Sequence, residues 1–232
     1  LAAMPSVTGW AFVHFVFTVA GIRAGVGVSF ALGTYLGFLF LTLMFKVSIY
    51  VGFSIFSFLF VAILLGVTVL SSLAVGVFRV RKRSPLWAAL KLEIDLIWLV
   101  AAIYLFALVV AALYQHVLHP LQSWDALSFW GRNAVFILQA DGAGLTVGDY
   151  WNRHPSTISV IAAWSAWSAY VNGNAGLSML PWLLAWLALG AITFSFGALY
   201  NLRQPVCLLL SFAAMRVPLL DNHAMLTGYG EI

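Results

Sequence analysis

Between Trp10 and Phe78 nearly every position is apolar, and only Arg23 and Lys46 carry charge across those 69 residues. A bilayer-spanning helix needs about 20 residues, so the block is too long for one span and suits three, or two long tilted ones. Breaks are expected near Arg23-Ala24-Gly25 and near Lys46-Val47-Ser48. The second has an alternative, because a lysine near a helix end can reach the head groups along its own aliphatic stem. Arg79-Val80-Arg81-Lys82-Arg83-Ser84-Pro85 closes the block. Ile94 to Tyr114 is the clearest single span, about 31 Å long at roughly 1.5 Å per residue. Glu93 and Asp95 stand at its start, where the helix dipole favours acids.

Gln115 to Pro155 is the longest polar stretch, punctuated by Trp124, Trp130 and Trp151. Aromatic-rich polar sequence beside a span predicts elements lying on the membrane surface. Trp124 to Leu138 reads as one such helix, with Leu127, Trp130, Ala134 and Ile137-Leu138 facing the membrane, ended by Asp141-Gly142-Ala143-Gly144. Three apolar segments follow: Thr157 to Val171, Leu180 to Leu199 and Pro205 to Val217. The outer two reach only about 22 and 20 Å, so they are expected to tilt through a thin region, re-enter, or lie buried against neighbours. Asn172-Gly173-Asn174-Ala175-Gly176 and Tyr200 to Pro205 read as turns, and no internal repeat supports an inverted-repeat transporter.

The predicted fold is all-α, a polytopic membrane protein forming one module over 1–232. It divides into N-terminal helices (1–78), a basic loop (79–91), a span (92–114), a loop (115–155), and further membrane helices (156–232).

Composition agrees: 63% of residues are hydrophobic and 8% charged, against about 25% charged in soluble domains. A soluble enzyme, a disordered tail and a disulfide scaffold are excluded. The net charge of 11 − 7 = +4 is concentrated in Arg79, Arg81, Lys82 and Arg83. Such a cluster in a short loop marks the cytoplasmic side, so it calls for no nucleic acid. That places 79–91 in the cytoplasm and 115–155 outside. Cys207 is the single cysteine and lies in an apolar run, so it reads as a packing residue. Leu1 to Gly21 lacks the basic start and the Ala-x-Ala site of a signal peptide. A chain that starts at Leu1 and stops at Gly230-Glu231-Ile232 is expected to be a fragment of a larger protein.

The polar residues collect in Trp124 to Trp130, in Trp151-Asn152-Arg153-His154-Pro155, and in the tail from Asp221-Asn222-His223 to Glu231. Asp125, held between tryptophans, could accept a proton from an incoming nucleophile, or could merely cap a helix. Arg132 and Arg153 could each hold a phosphate through the guanidinium fork; lipid head groups are the plainer partners. His154, just before Pro155 at a loop-to-helix junction, could be a base, a ligand or a donor, or an ordinary loop histidine. Asp221, His223 and Glu231 are types that bind a divalent ion such as Mg or Mn, although their spacing matches no established metal motif.

The stretch Trp124-Asp125-Ala126-Leu127-Ser128-Phe129-Trp130-Gly131-Arg132-Asn133-Ala134 resembles the first extracytoplasmic loop of bacterial integral-membrane glycosyltransferases of the GT-C superfamily. Protein mannosyltransferases and aminoarabinose transferases of lipid A belong to it. His154-Pro155 resembles the His-Pro of the same subgroup, and Gly228-Tyr229-Gly230-Glu231-Ile232 its Gly-Tyr-Ala-Asp-Leu. Arg132 stands in place of the subgroup's first Lys, and Ser156-Thr157-Ile158 in place of Tyr-Pro-Leu. The resemblance implies a GT-C-like helical membrane module in the bacterial inner membrane. Its implied activity is sugar transfer from a polyprenyl-phosphate or polyprenyl-diphosphate carrier to an extracytoplasmic acceptor. Asp125, His154 and Glu231 would be catalytic. Arg132 and His154 would lie beside the lipid-linked phosphate, with Arg153 a further phosphate-binding candidate from its own chemistry, and Glu231, with Asp221 and His223, would form the second acidic motif, which binds metal in some members.

Asp125 and Glu231 can share a site only if an even number of spans separates them, so one of the two short segments must fail to cross. Two other readings remain: a transporter subunit, and a non-catalytic accessory subunit of a larger membrane complex. The accessory role predicts a continuous apolar face on the N-terminal helices.

Overall fold

A computed structural model describes residues 1–22, 25–82, 96–118, 132–139, 156–173 and 180–216, and every regular element among them is an α-helix. In chain order these are α1 (Met4–Ala20), α2 (Val26–Val51), α3 (Phe58–Lys82), α4 (Leu96–Leu118), α5 (Arg132–Gln139), α6 (Ser156–Asn172), α7 (Leu180–Leu199) and α8 (Gln204–Met215). Four segments are long and apolar enough to cross a membrane: Val26–Ser48, Phe58–Phe78, Leu96–Tyr114 and Leu180–Leu199.

The N-terminal block holds three helices, but its second break differs from the sequence expectation. α2 runs straight through Lys46 and ends at Gly52, where φ of 72° closes the helix and the Gly52 amide donates to the Ser48 carbonyl at 2.8 Å. Glycine enters that left-handed conformation without a Cβ clash, and so stops the helix where Lys46 does not. Lys46 sits at an exposed position, and a lysine in a helix interior costs almost nothing in propensity. The next helix begins after a structured corner: the Phe60 amide donates to Ser57 Oγ at 3.2 Å, and Ser57 Oγ donates to the Ser54 carbonyl at 2.8 Å. Ser57 thus caps α3 by satisfying one of the open amides of its first turn.

α1 lies between α2 and α3. Its crossing with α2 is a backbone-to-backbone contact of small residues. A Cβ at Gly9 would stand 2.8 Å from the Gly37 nitrogen, and one at Gly37 would stand 2.6 Å from the Pro5 carbonyl carbon. Lipid tails are as apolar as the side chains, so membrane helices associate through such close packing and through hydrogen bonds. The second device joins α1 to α3, where Thr8 Oγ1 donates to the Leu64 carbonyl at 3.3 Å and lies 3.0 Å from Thr68 Oγ1.

α2 packs on its other side against α7, α7 pairs with α8, and α8 packs on α4. The α2–α7 pair is antiparallel: Gly27 meets Ala191 and Ser195, while Tyr35 Oη donates to the Ala185 carbonyl at 3.2 Å. α7 and α8 form a tight hairpin. A Cβ at Gly197 would stand 2.8 Å from Cys207 Sγ, and Ser211 Oγ donates to the Gly190 carbonyl at 3.0 Å. Cys207 is buried there as a packing residue.

Candidate functional site

The loop motif of the sequence analysis leads into α5, and the His154-Pro155 motif leads into α6. These two helices pack on each other. Pro155 is followed at once by the first residue of α6, Ser156, a position at which a preceding proline costs no helix hydrogen bond.

α5 is eight residues long and one-sided: Ala134 and Ile137 are buried, with Leu138 packed beside them, while Val135 is exposed. The sequence expectation turned this face toward the membrane. It is turned instead into a protein core with Leu41 and Phe45 of α2, Phe60 and Leu64 of α3, and Val160, Ala163 and Trp164 of α6. The reason is physical: an amphipathic stripe buries its apolar side against lipid or protein alike, and α6 offers a preformed aromatic wall. Leu127 and Trp130, the other two positions expected to face the membrane, lie outside the described residues, as does the 141–144 stop.

That wall is built of rings from three segments. Trp164 meets Phe60 at 5.8 Å and Trp167 at 5.1 Å, and Trp167 meets Phe56 and Phe58 at 6.4 and 6.2 Å. These tilted and edge-to-face pairs fall in the range where ring quadrupoles attract. Phe53 and Ile55 of the corner before α3 tuck into the same cluster. α6 is accordingly buried against its neighbours, which is one of the three fates its short length allowed.

α6 also carries polar atoms into this core. Ser159, Ser165 and Ser168 are buried, and Asn172 Nδ2 donates to the Ser168 carbonyl at 2.6 Å near the helix end. Trp164 Nε1 and Ser165 Oγ are buried without a hydrogen-bond partner, as are Ser6 Oγ and Thr34 Oγ1 at the α1–α2 crossing. Reading the chain for charge and motifs passed over this face. The run Trp164-Ser165-Ala166-Trp167-Ser168 was its visible signal.

Of the residues assigned roles from sequence, Arg132 is the first residue of α5. Asp125, Arg153, His154, Asp221, His223 and Glu231 lie outside the described residues. Among the described residues no group of three His, Cys, Asp or Glu side chains could hold a metal ion. What is fixed is the scaffold. Arg132 stands about 3 Å of helix rise from buried Ala134, and Ser156 about 6 Å from buried Val160. The chain on either side of the 140–155 segment is therefore anchored to one core.

The same core sits at one end of the bundle. Phe60 and Leu64 belong to the first turns of α3, whereas Arg79, Arg81 and Lys82 belong to its last. From Phe60 to Lys82 the rise is about 33 Å, close to the thickness of a bilayer core. Comparison with protein-family models, curated proteins and solved structures gives no match.

Proposed function

We propose that the chain is the membrane module of a GT-C-type glycosyltransferase of the bacterial inner membrane. In this reading it moves a sugar from a polyprenyl-phosphate or polyprenyl-diphosphate carrier to an extracytoplasmic acceptor. One observation supports it above the rest. The two motif-bearing segments, one running through Arg132 to Ala134 and the other ending at Pro155, lead into helices that share one core at the end of α3 remote from its basic cluster. With the basic end cytoplasmic, that core lies on the outer face, where a lipid-linked sugar would meet its acceptor.

The chemistry asked of the residues is an inverting displacement. The acceptor oxygen bonds to the anomeric carbon, the bond from that carbon to the phosphate oxygen breaks, and the electron pair leaves with the phosphate. Asp125 takes the acceptor proton. Arg132, Arg153 and His154 hold the departing phosphate, where positive charge counts most as the bond breaks. Asp221, His223 and Glu231 would hold a divalent ion, which would supply further charge at that phosphate.

The test is transfer in proteoliposomes holding the full-length protein, a radiolabelled polyprenyl-phosphate sugar and lipid acceptors. Asp125→Asn changes charge and basicity with little change of shape, so it is expected to abolish transfer while the far-ultraviolet dichroism stays unchanged. Full transfer by that variant would remove Asp125 from the mechanism.

A second reading draws on α3. Only 22% of its spanning window is buried, and it exposes Leu59, Ile63, Val69, Leu70, Leu73 and Val77 along one apolar face. An accessory subunit of a larger membrane complex would use such a face. Native mass spectrometry of the purified protein distinguishes the two: a stable hetero-complex without transfer activity favours the accessory role.

A further inference from the structure

Helix registers bring three basic connections to one side of the bundle. α1 and α2 are antiparallel, since Pro5 meets Gly37 and Trp10 meets Gly33. α1 and α3 are parallel: Met4 packs on the cluster holding Phe60 and Leu64, while Thr8 reaches Leu64 and Thr68. α2 and α7 are antiparallel, and so are α7 and α8, where Cys207 meets Gly197 and Ser211 meets Gly190. α4 runs parallel to α8, with Tyr104 on Phe212 and Leu108 in one cluster with Met215. The end of α1, the start of α2, the end of α3, the start of α4 and the α7–α8 turn therefore share one side.

Arg79, Arg81 and Lys82 follow directly on the Phe58–Phe78 span, and Arg203 stands immediately before α8. Arg23 follows Ile22 and Arg83 follows Lys82, so a chain of 3.8 Å per residue holds both to the same side. With Lys91, these connections carry seven of the eleven Lys and Arg residues, against two of the seven acids, Glu93 and Asp95. Apolar side chains lie next to each basic position. Val77 is one turn before Arg81, Ile22 and Val26 flank Arg23, and Leu199 and Leu202 precede Arg203, all five exposed.

A cation next to exposed apolar side chains, repeated at three connections, complements a molecule with a phosphate head and acyl chains. An acidic protein segment or a free phosphate would meet the cations and leave the apolar side chains unmatched. We infer that this side of the bundle is a binding surface for anionic phospholipids of its own leaflet. The phosphate meets the arginines and lysines, and the chains lie along the exposed ends of the spans. Each cation near an anionic head group adds to the attraction, which fades within a Debye length. The surface does not depend on the transferase reading, and its test involves no transfer.

The experiment follows the fluorescence anisotropy of chain-labelled phosphatidylglycerol, and of phosphatidylcholine with the same chains, added to the full-length protein in neutral detergent micelles. Phosphatidylglycerol should bind more tightly. Combining Arg79→Gln, Arg81→Gln and Lys82→Gln should weaken it by about 5-fold per charge removed and leave phosphatidylcholine unchanged. Lys46→Gln, near the other end of α2, should alter neither. Raising salt from about 0.1 to 1 M cuts the screening length from about 10 to 3 Å. That should erase the preference in the unaltered protein, a readout that stands even if the triple variant does not accumulate. Equal binding of the two lipids, a preference that survives 1 M salt, or a preference unchanged in the triple variant overturns the surface. So does an equal loss in Lys46→Gln. Glycerol 3-phosphate competing as well as unlabelled phosphatidylglycerol would overturn the part played by the chains. Binding of polyglutamate with no preference between the lipids would assign the cations to an acidic protein partner instead.

Discussion

Adding one methyl group at the α1–α2 crossing should weaken the whole fold, because no atom there can give way cheaply. In Gly33→Ala the new Cβ would lie 2.8 Å from the Gly9 carbonyl carbon and closer still to the Trp10 backbone. All three neighbours are main chain, so no rotamer change relieves the overlap. Ordinary contact begins near 3.4 Å, and the helices must part locally by a substantial fraction of an ångström. A gap of about 0.5–1 Å forfeits a quarter to a half of each dispersion well along the contact. Overpacking of this kind costs about 1–3 kcal/mol, or roughly a 5- to 150-fold fall in the folded-to-unfolded ratio. Gly66→Ala in α3 is the matched control: a Cβ there meets nothing within 4 Å. Alanine is also the better helix former by up to about 1 kcal/mol, so the control should be neutral or stabilising. Both variants are measured by reversible unfolding in mixed micelles, titrating sodium dodecyl sulfate and following dichroism and tryptophan emission. Gly33→Ala as stable as Gly66→Ala would refute the close crossing.

Trp186→Phe removes the donor to the Met215 carbonyl while keeping an aromatic ring, and should lower stability by about 1–3 kcal/mol in the same titration, since a buried carbonyl is left unsatisfied; no change would release the end of α8 from α7. Cysteine at Ser84 should resist an impermeant thiol reagent in intact cells while cysteine at Ser123 labels; the reverse would invert the orientation and remove the active-site proposal. Chelation with EDTA should lower transfer, with recovery on adding Mg or Mn; full activity in EDTA would take Asp221, His223 and Glu231 out of metal binding.

The hydrophobic pattern made the spans legible because each obeys one simple requirement, a helix long enough for the hydrocarbon. The start of α2 follows from the charge of Arg23 and the glycine beside it. Its end does not, because charge at Lys46 is a weaker stop than the left-handed backbone at Gly52. The direction of the α5 face was hidden for a different reason. Ala134, Ile137 and Leu138 announce one apolar side, but periodicity is blind to whether lipid or Trp164 meets it. Pairing was hidden too. Nothing between Pro205 and Val217 says which part of which neighbour the short helix meets, whereas Gly190, Gly197 and Trp186 set the register of α8 on α7. The candidate site was legible only as motifs, since the geometry of loop carboxylates far apart in the chain is written in tertiary contacts and not in spacing.

The order of packing carries a consequence for how the protein is made. Along the bundle the helices follow one another as α3, α1, α2, α7, α8 and α4. The first three can close on one another as soon as α3 leaves the ribosome, since α1 binds both of its companions. α4 emerges next, but its main partner is α8, and α8 begins only at Gln204, 86 residues after α4 ends at Leu118. Among the described helices only α7, a lesser partner, precedes α8 on its surface, so α4 spends much of that interval facing lipid. It is equipped to do so: with a mean hydropathy of 2.8 it is the most apolar of the four spans, and only 17% of its window is buried even in the finished fold. A charged substitution on its exposed apolar surface, such as Val110→Asp, would therefore act before folding is complete, by stalling membrane insertion, and its effect would be read in yield and topology rather than in the stability of the assembled bundle.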